Sequence, residues 1–231
     1  MEHRHVHFGI LSLVTLAGAG CSHATQNVLT VTTPAPVPAA TPPIIRTGAS
    51  AVADSVRHGF TQADVDFMSG MISHHAQALV MARWAPTHTT NPEVQRLSAR
   101  IINAQSDEIR TMQTWLSDQR QVVPEADPAG MRMTMNGMTH TMLMPGMLTP
   151  DQMRQLDQAR GKEWDRLFLT LMIQHHRGAI SMVEQLFGAP GAAQNDLVFK
   201  FASDVQADQS TEVTRMQSML LAMGAPPAPS R

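Results

Sequence analysis

The sequence has no tyrosine, only 4% aromatic residues, and a single cysteine, Cys21, among its 231 residues. One cysteine excludes an intramolecular disulfide framework and any metal site built on a Cys-x-x-Cys motif. The shortage of aromatic residues, beside abundant alanine, leucine and methionine, favours helices over strands. The length suits one ordinary domain with some spare chain, and we predict an all-α fold.

Strong charge and long apolar runs are also missing. The formal net charge is −2 at pH 7, and nucleic acid would require a clustered basic face, so we expect no nucleic-acid partner. The apolar run at residues 8–17 is well short of the roughly 20 residues that span a bilayer. A transmembrane helix is therefore not expected.

The N-terminal segment has the layout of a bacterial export signal. Arg4 and three histidines precede the apolar run, and the small residues 18–20 lead into Cys21. A small-residue run that ends in cysteine resembles a lipoprotein cleavage box, in which residues 1–20 are removed and Cys21 is lipidated. The alternative is nearby cleavage by the ordinary signal peptidase, which would leave a soluble periplasmic protein. Either way we predict export, with membrane attachment only through a lipid anchor.

Proline-rich segments flank the predicted domain. Residues 21–54 are rich in proline, alanine and threonine, and residues 224–231 form another proline-rich end. Proline fixes φ and removes a backbone donor, so the first segment is predicted to be an extended linker and the second a disordered tail. The folded domain is predicted to span residues 55–223.

An internal repeat organises this domain. An offset of 101 aligns the two His-His pairs, and an offset of 104 aligns a second segment in each half. The first offset pairs Asp64, Phe67, Met71, Ile72, His74, His75, Ala78 and Met81 with Asp165, Phe168, Met172, Ile173, His175, His176, Ala179 and Met182. The second pairs Gln105, Glu108, Met112, Gln113 and Leu116 with Gln209, Glu212, Met216, Gln217 and Leu220. Each half is therefore a hairpin of two segments.

Capping signals predict that these segments are helices. Thr61 to Asp64, Asn91-Pro92-Glu93 and Thr149 to Gln152 all have helix-start patterns. The first hairpin is predicted at 61–85 and 92–119, and the second at 149–187 and 193–223, with a bend at Gly161. No segment shows the alternation that is typical of a strand, so no strand is predicted. Two such hairpins predict a four-helix bundle in which the His-His helices face each other.

The His-His helices carry candidate metal ligands. Imidazole is a common ligand, and the thioether of methionine is soft, so the pair suits Cu(I) or Ag(I) better than Mg²⁺, Ca²⁺ or Mn²⁺. The alternative is structural, with methionine as core packing and each histidine hydrogen-bonded to Glu108 or Glu212. The candidates on the helices are Met71, His74, His75, Met81, Met172, His175, His176 and Met182, with Glu108, Met112, Glu212 and Met216 as possible outer contacts.

The connection between the hairpins reads MRMTMNGMTHTMLMPGM, at residues 131–147. It is interpreted as an irregular loop that cannot pack as a core segment, and whose alternating methionines could wrap several sulfurs around one soft ion. The alternatives are a flexible hydrophobic lid or a methionine sink for oxidants. The candidate ligands are Met131, Met133, Met135, Met138, His140, Met142, Met144 and Met147.

The doubled motif resembles the signature of the domain-of-unknown-function 305 family, the CopM-like bacterial proteins. The first copy reads Asp64-x-x-Phe67-Met68-x-x-Met71-Ile72-x-His74-His75, and the second reads Asp165-Arg166-x-Phe168-Leu169-x-x-Met172-Ile173-x-His175-His176. The resemblance covers roughly residues 55–223. It implies a ferritin-like four-helix bundle that is exported and binds copper, chiefly Cu(I), through methionine and histidine. The first copy departs from the pattern at Ser69-Gly70, and at Gln77 where the second copy has Gly178.

Three functions are compatible with these observations. The leading hypothesis is a non-enzymatic protein that sequesters Cu(I), with Ag(I) as a mimic, or transfers it to another copper-handling protein. The second is a ferritin-like di-metal oxidase, for which Glu108 and Glu212 are the obvious carboxylates. The third is a structural or partner-binding bundle whose His-Glu pairs stabilise the core.

Overall fold

The computed structural model describes residues 53, 59–135 and 137–224, without the side chain of Met135. The predicted leader, nearly all of the linker, and tail residues 225–231 lie outside the described residues. The elements are α1 (Gln62–Arg83), α2 (Ala85–His88), α3 (Pro92–Asp118), β1 (Met131–Met135), β2 (Met138–Met142), α4 (Pro150–Gln158), α5 (Gly161–Gly188) and α6 (Asp196–Ala222). No helix in this described part is long and apolar enough to cross a membrane.

The predicted helix starts are confirmed. Thr61 caps α1 in a capping box, in which its hydroxyl accepts from the Asp64 amide and its own amide donates to Asp64 Oδ2 at 2.6 Å. Asn91 caps α3, and Thr149 forms a second capping box with Gln152 at the start of α4. These side chains satisfy amides that the first helical turn leaves without a partner.

The helices form the predicted bundle of two hairpins. Two buried clusters fill it, one on each side of the His-His pairs. The first contains Met71, Met112, Met182 and Val205, and the second contains Met81, Ile101, Met172 and Met216. Because α1 passes from the first cluster to the second and α5 from the second to the first, the two helices run antiparallel.

The first arm of the second hairpin is interrupted rather than bent. The helix α4 ends at Gln158, and α5 begins at Gly161, whose φ of 58° lies in the left-handed region. Glycine adopts this conformation at little cost, whereas other residues do so rarely. The predicted long arm at 149–187 is therefore two helices.

The expectation that residues 131–147 form an irregular loop is wrong for most of the segment. Strands β1 and β2 pair in antiparallel register, Met131 with Met142 and Met135 with Met138. The turn between them contains Gly137, with φ of 75°, and Asn-Gly is a strong signal for a tight hairpin turn. The alternation of methionine with threonine, taken as a ligand pattern, is also the period of a β-strand.

Residues 144–148, called the strap, lead from the hairpin back to α4 and are seated on both His-His helices. Gly146 lies against Gly178 of α5, where an added Cβ would fall 2.6 Å from the Gly146 Cα and 2.0 Å from the Pro145 oxygen. On α1, the buried Gln77 amide donates to the carbonyls of Leu148 and Pro128, and its oxygen accepts from the Leu148 amide at 2.6 Å. Met147 is 5% exposed, so this part packs as core, contrary to the expectation.

The contact between Gly178 and the strap leads to the first prediction. Gly178→Ala would force backbone atoms of the strap to move, so we expect the free energy of unfolding to fall by roughly 1–3 kcal/mol, the usual cost of overpacking. This loss would occur although alanine is the better helix former. Denaturant unfolding followed by circular dichroism measures it.

Gly188→Ala is the matched control, because a Cβ at that position in the same helix meets nothing within 4 Å. We expect this variant to lose no stability. Equal stability of the two variants would contradict the described seating of the strap.

Candidate metal centre

The four histidines of the repeat meet at the crossing of α1 and α5, as the pseudo-twofold symmetry predicts. All four are buried, with exposed fractions of 1% or less. The rings of His74 and His175 pack against each other with centroids 3.8 Å apart. The strap covers this pair, since Nε2 of His74 donates to the Pro145 carbonyl at 3.0 Å.

The second histidine of each pair faces a glutamate on the partner helix. Nε2 of His176 lies 2.6 Å from Oε2 of Glu212, in hydrogen-bonding geometry. Nε2 of His75 lies 2.8 Å from Oε2 of Glu108, close enough for an ion pair but outside the direction of a good hydrogen bond. These contacts are the ones that the structural alternative requires.

Burial sets the protonation of the central pair. Removal from water lowers the pKa of both His74 and His175 well below the ordinary 6.5, and the neighbouring imidazoles lower it further. For Glu108, burial alone would raise the pKa, but the close approach of His75 at 2.8 Å outweighs it, and the net pKa is lowered. The centre therefore contains neutral imidazoles at its middle and a carboxylate at its α3 side.

The candidate methionines of the helices lie in the two core clusters rather than around the histidines as one group. Met71, Met81 and Met172 are fully buried, and Met182 is 7% exposed. Met71 and Met182 belong to the first cluster, whereas Met81 and Met172 belong to the second. Of the outer candidates, Met112 belongs to the first cluster and Met216 to the second. Packing accounts for the fully buried thioethers.

The β-hairpin brings the other candidate ligands onto one face. Residues directly opposite in an antiparallel pair point to the same side of the sheet, and successive residues alternate. The register pairs Met133 with His140. It therefore places on one face, called the methionine face, Met131, Met133, Met138, His140 and Met142. The opposite face carries Arg132, Thr134, Thr139 and Thr141.

Much of the methionine face is open to solvent. Met133 is 37% exposed, Met138 61% and Met142 46%. The last two loop candidates differ, because Met144 and Met147 belong to the strap and lie at least partly inside the bundle. The predicted ligand set of the loop is thus divided between an exposed face and a buried strap.

Carboxylate and imidazole groups alone do not form a metal site in the described residues. No group of three or more histidine, cysteine, aspartate or glutamate side chains there is placed to hold one ion. Methionine sulfur is outside those ligand types. It is the ligand that the methionine face provides in greatest number.

Sequence reasoning missed the residues that position the strap. Gln77 and Gly178 occupy equivalent places in the repeat, and their difference was interpreted only as a departure from a pattern. The sequence shows this difference, a glutamine in one copy and a glycine in the other, but it does not show the contact that requires it. Gly70 belongs with them, since an added Cβ there would lie 2.9 Å from Sδ of Met144.

Comparison with known proteins identifies relatives over most of the chain. The sequence pattern of the domain of unknown function DUF305 matches residues 64–220. A DUF305 protein from Streptomyces coelicolor, provisionally named as secreted, is 28% identical, with a TM-score of 0.61 over 73% of this chain and 98% of its own. The described helices and this likeness agree with the predicted bundle.

CopM is a second structural neighbour. Its Cu(I)-bound form is 26% identical, with a TM-score of 0.53, and the match covers 69% of this chain and 96% of CopM. CopM has also been solved in Cu(II)-bound and Ag-bound forms. Among curated sequences, the uncharacterized protein L153 of Acanthamoeba polyphaga mimivirus is 35% identical over 63 residues, 26% of this chain, and the chain spans 41% of that relative.

The buried imidazole pair predicts a pH dependence of stability in the metal-free protein. Unfolded histidines titrate near pH ~6.5, whereas His74 and His175 have lower pKa values when folded, so the unfolded state binds more protons below that pH. Above pH ~6.5 the free energy of unfolding should have its full value, because neither state binds protons at these rings. It should fall on acidification by up to about 1.4 kcal/mol per pH unit for each ring. Denaturant unfolding from about pH 7 to about pH 5 measures the slope.

Single His74→Gln and His175→Gln variants should each have a shallower slope. His140→Gln, at an exposed position, should keep the slope of the parent protein. If the first two variants keep it as well, the pH dependence originates elsewhere.

Proposed function

The chain belongs to the DUF305 family, and we propose that it is an exported protein that binds Cu(I) through methionine and histidine and sequesters or transfers it in copper homeostasis. Solved relatives support the class of ion, since CopM binds copper and silver. One observation on this chain carries the proposal. It is the register that gathers four methionines and His140 on one face of the hairpin.

The chemistry of that face suits a soft monovalent ion. Thioethers and imidazole bind Cu(I) and Ag(I) well, and hard ions such as Mg²⁺ or Ca²⁺ prefer oxygen. Directly opposed side chains in an antiparallel pair have Cβ atoms about 4.5–5.5 Å apart, so Met133 and His140 can both reach an ion between them. Met131 and Met142 form a neighbouring pair on the same face, and Met138 lies two residues before His140 in β2.

Exposure argues against a packing role for these side chains. A group of exposed thioethers on a soluble domain is a liability unless it serves a function, and Met138 is 61% exposed. The fully buried methionines of the bundle show what packing looks like in the same protein. We therefore place the main ion-binding role on the hairpin.

A second candidate function is a bundle whose histidines only stabilise the core. The short His176–Glu212 contact favours it for that pair. The two functions are compatible, because structural histidines in the bundle would leave the methionine face free to bind an ion.

For location, we propose that residues 1–20 direct export and that Cys21 carries a lipid. Export is supported by the Streptomyces coelicolor relative, which is provisionally named as a secreted protein. A lipid on Cys21 would hold the domain at a membrane surface through the proline-rich linker at residues 21–54, where the metal ion or another copper-handling protein could reach it.

The methionine face predicts a loss of Cu(I) binding on substitution. Changing Met131, Met133, Met138 and Met142 to leucine and His140 to glutamine keeps side-chain size but removes the ligands. We expect the affinity for Cu(I), measured against a competing chelator, to fall at least about tenfold, a loss of about 1.4 kcal/mol. Every protein in the test carries Cys21→Ser, which removes the thiolate.

The control changes the opposite face, with Thr134→Val, Thr139→Val and Thr141→Val, and should retain affinity. Circular dichroism should show intact helices in both variants, because the strap is left in place. Unchanged affinity in the methionine variant would refute the assignment to the hairpin. Loss in both variants would indicate that the hairpin fold, rather than its sulfurs, is needed.

Lipidation predicts a change of cellular fraction. In a bacterium with lipoprotein-processing enzymes, the unmodified chain should fractionate with membranes and incorporate labelled palmitate. Cys21→Ser should abolish the label and the membrane association, whereas Ser22→Ala should leave both unchanged. A parent chain that carries no label would refute lipidation and leave export to be judged separately.

A further inference from the structure

The side chains of two further methionines, Met144 and Met182, both approach Gly70 on α1. An added Cβ at Gly70 would lie 2.9 Å from Sδ of Met144 and 3.4 Å from Cε of Met182. The first methionine comes from the strap and the second from α5. The missing side chain on α1 therefore makes room for the ends of both methionines, and the Met144 sulfur takes the place that a Cβ would need.

A cavity opens beside this point. It has a volume of about 260 Å³, and its lining includes Phe67, Met144, Pro145 and Met182, with Asp66 and Gln185. Phe67 and Met182 are buried, whereas Asp66 and Gln185 are exposed. The cavity thus has a thioether-lined interior and a polar rim that includes a carboxylate.

Met144 and Met182 differ from the other methionines of the core, although both pack in or against the first cluster. Met71, Met81, Met112, Met172 and Met216 are fully buried within the two clusters. Met144 is only partly buried, and both Met144 and Met182 line open space. The equivalent of Gly70 in the second copy is Leu171, a buried apolar residue, so the space exists in one copy of the repeat.

We propose that Met144 and Met182 form an inner site for a monovalent soft ion, Cu(I) or Ag(I), separate from the methionine face. The proposal rests on the proposed function in that both sites bind the same class of ion. Soft sulfur ligands in a largely apolar space favour a singly charged soft ion over a strongly hydrated divalent one. Asp66 at the rim supplies negative charge for its entry.

In the order of the sequence, the inner site begins directly after the methionine face. Met142 closes the methionine face, and Met144, two residues later, begins the strap. An ion held by thioethers can move by exchanging one thioether ligand for another, with no change in oxidation state. Such an exchange between Met142 and Met144 would carry an ion from the methionine face to the inner site.

The test uses Ag(I) as the probe on the full chain with Cys21→Ser and ¹³C-methyl-labelled methionine. During titration, the methyl signals of Met144 and Met182 should shift together as one of at least two binding events. A Met144→Leu, Met182→Leu variant should bind one ion fewer by native mass spectrometry. The control is Met153→Leu, Met219→Leu, since these methionines are partly buried against the second cluster, and it should lose none.

Gly70→Ala tests the space without removing a sulfur. The close atom is the end of a flexible side chain, so the fold should persist while the Met144 sulfur is displaced and the inner ion is bound at least about tenfold more weakly. The methionine-face variant separates the two proposals, because it should keep the Met144 and Met182 response at high Ag(I). No shift of those two signals, or equal stoichiometry in the leucine variant and its control, would overturn the inner site, whatever the hairpin does.

Discussion

The close approach of the strap to Gly178 is the contact on which both groups of candidate ligands depend. A backbone can lie against a helix at this distance only where no side chain intervenes. On α1, the buried side-chain amide of Gln77 makes two hydrogen bonds to Leu148 of the strap and a third to Pro128. Together they fix the end of the hairpin, place Met144 beside Gly70 and cover His74. Without this seat, a two-stranded hairpin would be marginal by itself.

The same contacts explain why the repeat is imperfect. A duplicated hairpin buries equivalent faces, and the residues that only pack remain alike in both copies, as Met71 and Met172 do. The connection between the halves occurs once, so it must contact the two copies differently. Gly70 and Gln77 on α1, and Gly178 on α5, are the positions where it does so. Positions at which the two copies differ are therefore the ones that the strap contacts.

The sequence predicted those parts of the fold that depend on local signals. The capping patterns at Thr61, Asn91 and Thr149 predict where helices begin. The repeated motif predicts that His74 and His175 face each other. The β-hairpin was missed although Asn136-Gly137 signals a turn, because methionine alternating with threonine was interpreted as chemistry rather than structure. The seat of the strap could not be predicted, since Gln77 and Leu148 are 71 residues apart and neither position carries a local signal for the other.

The methionines divide by environment, and this division locates the proposed function. Those on the duplicated helices lie mostly at full burial, where neighbouring apolar atoms already satisfy them. On the hairpin, Met133, Met138 and Met142 are exposed, and Met144 and Met182 border a cavity. A thioether that is open to solvent or borders a cavity can accept an ion without displacing a packed neighbour. Under the proposed function, the duplicated bundle is the scaffold, and the ion binds to the single connecting segment and at the place where that segment meets Gly70.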